Sequence, residues 1–87
     1  LSRLGETPRA IILDLSAVPF ADNSGAHILV ALAEKSHRRG APVFIAGASR
    51  AVRRSLLSAG LSRHLVRYAP DVAEAHERAL KLIAAPA

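Results

Sequence analysis

The sequence contains no cysteine, methionine or tryptophan, and its only aromatic residues are two phenylalanines and one tyrosine. Without cysteine the chain has no disulfide framework and no thiolate metal site. So few aromatic rings leave no stacking platform for nucleic-acid bases, and no recognition motif for nucleic acid is present. We therefore predict no nucleic-acid partner, and a core built mainly from aliphatic side chains.

Long apolar runs are also missing. None approaches the about 20 residues that a membrane-spanning helix needs, and no signal-peptide pattern is present. The length of 87 residues predicts a single domain, residues 1–87. Because no methionine starts the chain, and because Leu1 and Leu4 have helical spacing before Gly5, we read the beginning as the last turn of an earlier helix. We expect an N-terminally truncated fragment of a longer protein.

Basic residues outnumber acidic ones, which gives a formal net charge of +5. This balance fits an acidic partner or a membrane surface, and its ordinary alternative is a solvated basic face. A loose basic patch is formed by Arg50, Arg53, Arg54 and Arg63. The predicted partner surface consists of His27 with Arg50, Arg53 and Arg54.

Neither the histidines nor the carboxylates predict a catalytic centre. No two of the four histidines have the i, i+4 spacing of a helical metal site. Asp14 and Asp22 are the carboxylates nearest to strand-end loops, and no histidine or lysine partner is indicated beside them. We therefore predict no enzyme, no metal site and two hydrogen-bonded loop carboxylates.

Apolar periodicity alternates between the patterns of strands and helices. Strands are predicted at residues 10–15, 42–46 and 65–68, and helices at residues 24–39, 49–59 and 71–84. This β-α-β-α-β-α order favours a parallel sheet with right-handed crossovers, whose functional loops lie at the carboxyl ends of the strands. Those loops are predicted at residues 16–24, 47–49 and 69–71.

Each element also carries a predicted buried stripe. The first strand is a nearly continuous apolar run and is expected to be buried on both faces. Ser49 and Asp71 are expected to cap the second and third helices, and Glu74 completes a capping-box spacing with Asp71. The predicted core positions of the helices are Ile28, Leu29 and Leu32 with Ala31 and Ala33 close by, then Val52, Leu56, Leu57, Val72, Ala75, Ala79, Leu82 and Ile83.

The segment Asp22-Asn23-Ser24-Gly25, here called the signature loop, stands between the first strand and the first helix. A helix N-terminus has unpaired N–H groups and a partial positive charge, so it accommodates an anion or a phosphorylated serine. The commoner role of such residues is capping, by Asn23 or Ser24. Ser24 is therefore interpreted both as a helix cap and as a candidate phosphorylation switch.

The run from Ile12 to Gly25 resembles the signature of the STAS domain family. It has the Asp-Leu-Ser turn, the Val-x-Phe-x-Asp step and the closing Ser-Gly pair. The similarity continues through residues 38–40, 42–47, 51–57 and 59–61 to the last helix. It implies an α/β fold with a mainly parallel sheet and flanking helices, whose N-terminal strands would precede Leu1.

The resemblance implies a non-enzymatic regulatory domain of a sulfate-type (SulP) anion transporter, on the cytoplasmic side of the inner membrane. Its partner would be the transporter membrane domain or a regulatory protein. The alternative is a cytoplasmic anti-sigma factor antagonist, whose partner kinase phosphorylates the serine that matches Ser24.

A third hypothesis is a small α/β enzyme or nucleotide-binding domain. The resemblance implies no cofactor, but it leaves weak nucleotide binding open. Missing N-terminal strands would also leave a bare sheet edge. Such an edge predicts pairing with another chain, including a second copy as a homodimer.

Overall fold

The computed structural model describes residues 9–19 and 22–84. In this part of the chain strands and helices alternate as predicted: β1 (Ile11–Asp14), α1 (Asn23–Arg38), β2 (Val43–Ala46), α2 (Arg50–Ser58), β3 (Arg67–Ala69) and α3 (Val72–Ala84). β3 begins two residues later than predicted, because the Leu65 N–H closes a turn onto the Ser62 carbonyl at 3.1 Å. The predicted helical turn at Leu1 to Leu4 lies outside the described residues.

The three strands form one parallel sheet in the order β1-β2-β3. In its register Ile12 is paired with Phe44, and Ile45 is paired with Tyr68. α1 and α2 pack on one face of the sheet, and α3 packs on the other. The predicted parallel α/β architecture is confirmed.

The central strand β2 is the most buried element. All four of its side chains are at most 1% exposed, and Phe44 and Ile45 point into the two opposite core clusters. β1 also packs against both clusters, through Ile12 on one face and Leu13 on the other, but these residues stay partly exposed. The prediction of full burial for β1 is wrong, because β1 pairs only with β2 among the described strands.

The buried face of α1 differs from the predicted stripe. Ala26, Val30 and Ala33 are buried, whereas Ile28 is 68% exposed. The spacing of Ala26, Val30 and Ala33 is that of one helix face, and Leu29 packs beside it. The prediction followed the largest apolar residues, but small side chains let the helix approach the sheet closely.

The predicted buried faces of α2 and α3 are correct in part. Val52 and Leu56 of α2 are buried as predicted, and so are Ala75 and Ala79 of α3. The predictions for four large side chains are wrong, because these lie on the outer sides of their helices. The four exposed residues are Leu57, Val72, Leu82 and Ile83.

The predicted caps of α2 and α3 are present. The Ser49 hydroxyl accepts a hydrogen bond from the Val52 N–H at 3.2 Å, and the Asp71 carboxylate accepts one from the Glu74 N–H at 2.8 Å. The carboxylate of Glu74 pairs with Arg78, one turn along α3, instead of with the cap. The local signals at the helix starts therefore fix where α2 and α3 begin.

Candidate functional site

The loops after the three strands meet at the carboxyl edge of the sheet. The Leu15 N–H donates to the Ala46 carbonyl at 2.9 Å, and the Gly47 N–H donates to the Ala69 carbonyl at 3.0 Å. These bonds extend the parallel pairing just beyond the strands. The edge carries the start of the segment leading to the signature loop, as the strand order predicted.

Asp22, not Asn23 or Ser24, caps α1. Its side chain accepts a hydrogen bond from the Gly25 N–H at 2.7 Å, its backbone is extended, and its carbonyl accepts the Ala26 N–H at 2.9 Å. The prediction that Ser24 is the cap is therefore wrong. Aspartate is as good a cap as serine or asparagine, so residue type alone did not distinguish Asp22 from its two neighbours.

Capping by Asp22 leaves the Ser24 hydroxyl on the surface. Ser24 is exposed and is the second residue of α1, where the helix dipole is positive and no acidic residue stands in the first turn. A negative group on Ser24 would be favoured by the dipole and opposed by the carboxylate of Asp22. The geometry therefore makes this hydroxyl accessible.

Asp14 organises the loop that follows β1. Its Oδ1 accepts hydrogen bonds from the Ser16 hydroxyl at 2.6 Å and from the Ser16 N–H at 3.0 Å. These bonds, the hydroxyl first, lower the pKa of the Asp14 carboxyl. A general acid at neutral pH needs the opposite shift, so Asp14 serves as a hydrogen-bonded loop residue.

A cleft of about 540 Å³ lies beside α2 and β3 and is called the α2 cleft. The predicted basic residues Arg50, Arg53 and Arg54 line it, and Arg63 joins them. His27 lies instead on the exposed surface of α1, outside the cleft lining. The structure therefore brings the predicted arginines together but does not place His27 with them.

Tyr68 and Leu57 line the α2 cleft, although neither was predicted to belong to the partner surface. The guanidinium of Arg53 lies over the Tyr68 ring, 4.4 Å from its centroid. Leu57, assigned to the core from sequence, is 66% exposed among the arginines. Since none of the described carboxylates lines the cleft, its charge and its apolar patch suit an acidic segment with an apolar side chain.

Residues 9–19 and 22–84 contain no group of three or more potential metal ligands. In the same part of the chain, no helix has the length and apolar character needed to cross a membrane.

Comparison with known proteins identifies the family of this chain. The model of the STAS domain matches residues 1–75. The chain belongs to the STAS domain family. STAS domains are regulatory and interaction modules, and the α/β fold described above is theirs. Comparison with curated proteins gave no match.

Solved structures of two kinds resemble this STAS domain. The SulP transporter STAS domain from Vibrio cholerae is 36% identical, with a TM-score of 0.72, over 92% of this chain and 64% of that one. A stressosome structure, described as a signal integration and transduction hub, is 19% identical, with a TM-score of 0.81, over 95% and 72%. A serine-to-glutamate variant of RsbS from Moorella thermoacetica is 20% identical, with a TM-score of 0.79, over 91% and 69%.

The identities separate the two kinds of neighbour. The stressosome and RsbS structures, at 19% and 20%, show the shared fold alone. The chain spans just under two thirds of the Vibrio cholerae domain, 64% of its length.

Proposed function

We propose that this STAS domain is the non-enzymatic regulatory and interaction domain of a sulfate-type anion transporter, held at the cytoplasmic side of the inner membrane. The observation that carries the proposal is the 36% identity to a SulP transporter STAS domain over 92% of this chain. The net charge of +5 is in keeping with a position beside an anionic membrane surface.

The α2 cleft is the proposed contact surface for the transporter's membrane domain or for a regulatory protein. Four arginines and an exposed leucine line it, and no carboxylate from the described part of the chain joins them. An acidic partner segment would pair with the arginines, while an apolar side chain of that segment would cover Leu57. Charge of this kind sets orientation and association rate, and the apolar contact adds affinity.

The first test is the coding sequence upstream of Leu1. The proposal requires a continuous reading frame with a series of hydrophobic segments of about 20 residues each. An upstream region that encodes only a short extension without such segments would overturn the transporter assignment.

The second test is uptake of labelled sulfate by cells that make the full-length protein. Replacing Arg53 and Arg54 by glutamine is expected to change the uptake rate severalfold at equal amounts of protein in the membrane. Lys35→Gln with Arg38→Gln removes two charges outside the α2 cleft and is expected to leave uptake unchanged. Equal effects of the two double variants would contradict a role for this surface.

The alternative function is an anti-sigma factor antagonist switched at Ser24, and the exposure of this hydroxyl favours it. A phosphate would add about −2 charge beside Asp22 and repel an acidic or apolar partner. Mass spectrometry after incubation with the partner kinase should then find phosphate on Ser24, and Ser24→Asp should weaken partner binding. An unmodified Ser24 and unchanged binding by Ser24→Asp would remove this alternative.

A further inference from the structure

A second basic cleft, of about 740 Å³, lies at the opposite edge of the sheet from the signature loop, where the strands begin. It is called the amino-edge cleft. Arg9, Arg39 and Arg67 line it, together with the imidazoles of His37 and His64. Among residues 9–19 and 22–84, no aspartate or glutamate lines this cleft.

The cationic residues of the amino-edge cleft come from separate segments. His37 and Arg39 end α1, where positive charge is favoured by the carbonyl end of the helix dipole. That local rule does not account for Arg9, which precedes β1, or for Arg67, which begins β3. The parallel sheet brings these two arginines to the same edge as the end of α1, so their convergence is a property of the fold.

The wall beside these cations is apolar. Leu82 and Ile83, in the last turn of α3, line the same cleft and are 40% and 37% exposed. Arginines that line one cleft repel one another, and a bound anion relieves that repulsion. Guanidinium groups match the oxygens of phosphate and related tetrahedral anions through paired N–H donors.

We propose that the amino-edge cleft binds a tetrahedral dianion, phosphate or sulfate, either free or as the head of a larger ligand whose apolar part lies against Leu82 and Ile83. Arg39 and Arg67 bind the anion oxygens, and His37 adds a ring N–H donor. The His64 ring is hydrogen-bonded to the Ser62 hydroxyl and contributes to the wall of the cleft. Because the cations are exposed, the affinity falls as salt is raised. This ligand site is independent of the transporter assignment and of Ser24.

The test is titration of the 87-residue chain with sodium phosphate and sodium sulfate, with chloride at equal ionic strength as the reference. Calorimetry and two-dimensional NMR should show saturable binding, with amide shifts concentrated at residues 37–41 and 64–67. Arg39→Gln with Arg67→Gln should weaken it about tenfold or more, since charge-assisted hydrogen bonds are lost. Arg50→Gln with Arg54→Gln removes the same charge from the α2 cleft and should leave binding unchanged.

A lipid arm separates the two sources of the anion. Vesicles of phosphatidic acid in phosphatidylcholine are compared with phosphatidylcholine alone. Saturable binding of free phosphate or sulfate assigns a soluble ligand, whereas binding to phosphatidic acid vesicles alone, lost in the Arg39/Arg67 variant, assigns a headgroup. The proposal is overturned if neither source binds saturably, or if the two double variants weaken binding equally while both remain folded by circular dichroism.

Discussion

Gly47 approaches Ser16 so closely that a Cβ added to Gly47 would lie 2.8 Å from the Ser16 Cβ and 3.1 Å from its Cα. Gly47 also has a φ of 69°, a left-handed conformation that favours glycine. The loops that follow β1 and β2 therefore touch at a point where no side chain fits. Through Ser16, this contact also supports the Asp14 carboxylate to which Ser16 donates.

Gly47→Ala is expected to destabilise the chain more than an equivalent change elsewhere. The left-handed backbone alone costs about 1–2 kcal/mol for a residue with a Cβ, and the collision with Ser16 adds to it. Gly40→Ala is the matched control, because Gly40 has a φ of 77° but nothing within 4 Å of its added Cβ. Chemical denaturation compares the free energies of unfolding, and equal losses in the two variants would contradict the close contact.

The assignment of the α1 cap gives a second prediction. Asp22→Ala removes the acceptor of the Gly25 N–H and should lower the free energy of unfolding by about 1 kcal/mol. Ser24→Ala should change it by no more than about 0.5 kcal/mol, because an exposed residue with no capping role is removed. Thermal or urea unfolding of both variants decides between them. If Ser24→Ala lowered the free energy of unfolding as much as Asp22→Ala, the assignment of Asp22 as the cap would be contradicted.

The order of the elements was predictable because local residues mark it. Gly40 and Gly60 follow α1 and α2 with positive φ, and Ser49 and Asp71 accept from the first turns of α2 and α3. Each of these signals acts within a few residues along the chain. Such signals can be recognised in a single sequence. The alternation of strands and helices, the parallel sheet and the loops at its carboxyl edge were therefore all predicted.

The buried faces of the helices depend on tertiary packing and were predicted less well. Ile28 was preferred to Ala26 because it is larger, yet Ala26 is 2% exposed and Ile28 is 68% exposed. The helix packs against the sheet through the face that carries Ala26, and Ile28 lies on another face. The placement of Arg9 and Arg67 in one cleft likewise depends on sheet register, which no spacing along the chain encodes.

Adjacent leucines on α2 test this distinction directly. Leu56 is fully buried in the cluster between the sheet and the first two helices, whereas Leu57 is mostly exposed. Leu56→Ala is expected to cost about 2–5 kcal/mol, and Leu57→Ala about 0.5 kcal/mol or less. Urea unfolding measures both, and similar losses would show that α2 is rotated about its axis relative to this structure.

The contact between Arg53 and Tyr68 gives a prediction about pH. Partial burial raises the pKa of the Tyr68 phenol, and the positive charge of Arg53 lowers it in part. Arg53→Met keeps a long side chain over the ring but removes the charge, so the pKa of Tyr68 should rise further. Arg54→Met is the control, since Arg54 lines the same cleft without lying over the ring.

Because the folded chain holds the phenol neutral, the stability gained from this shift is complete below the unfolded pKa of about 10. It is lost as the pH rises through the higher pKa of the folded state. Tyr68 is the only tyrosine and the chain has no tryptophan, so the absorbance of its phenolate reports this single group. A titration curve that moves to higher pH in Arg53→Met but not in Arg54→Met is expected. Identical curves for both variants would show that Arg53 does not act on Tyr68 in solution.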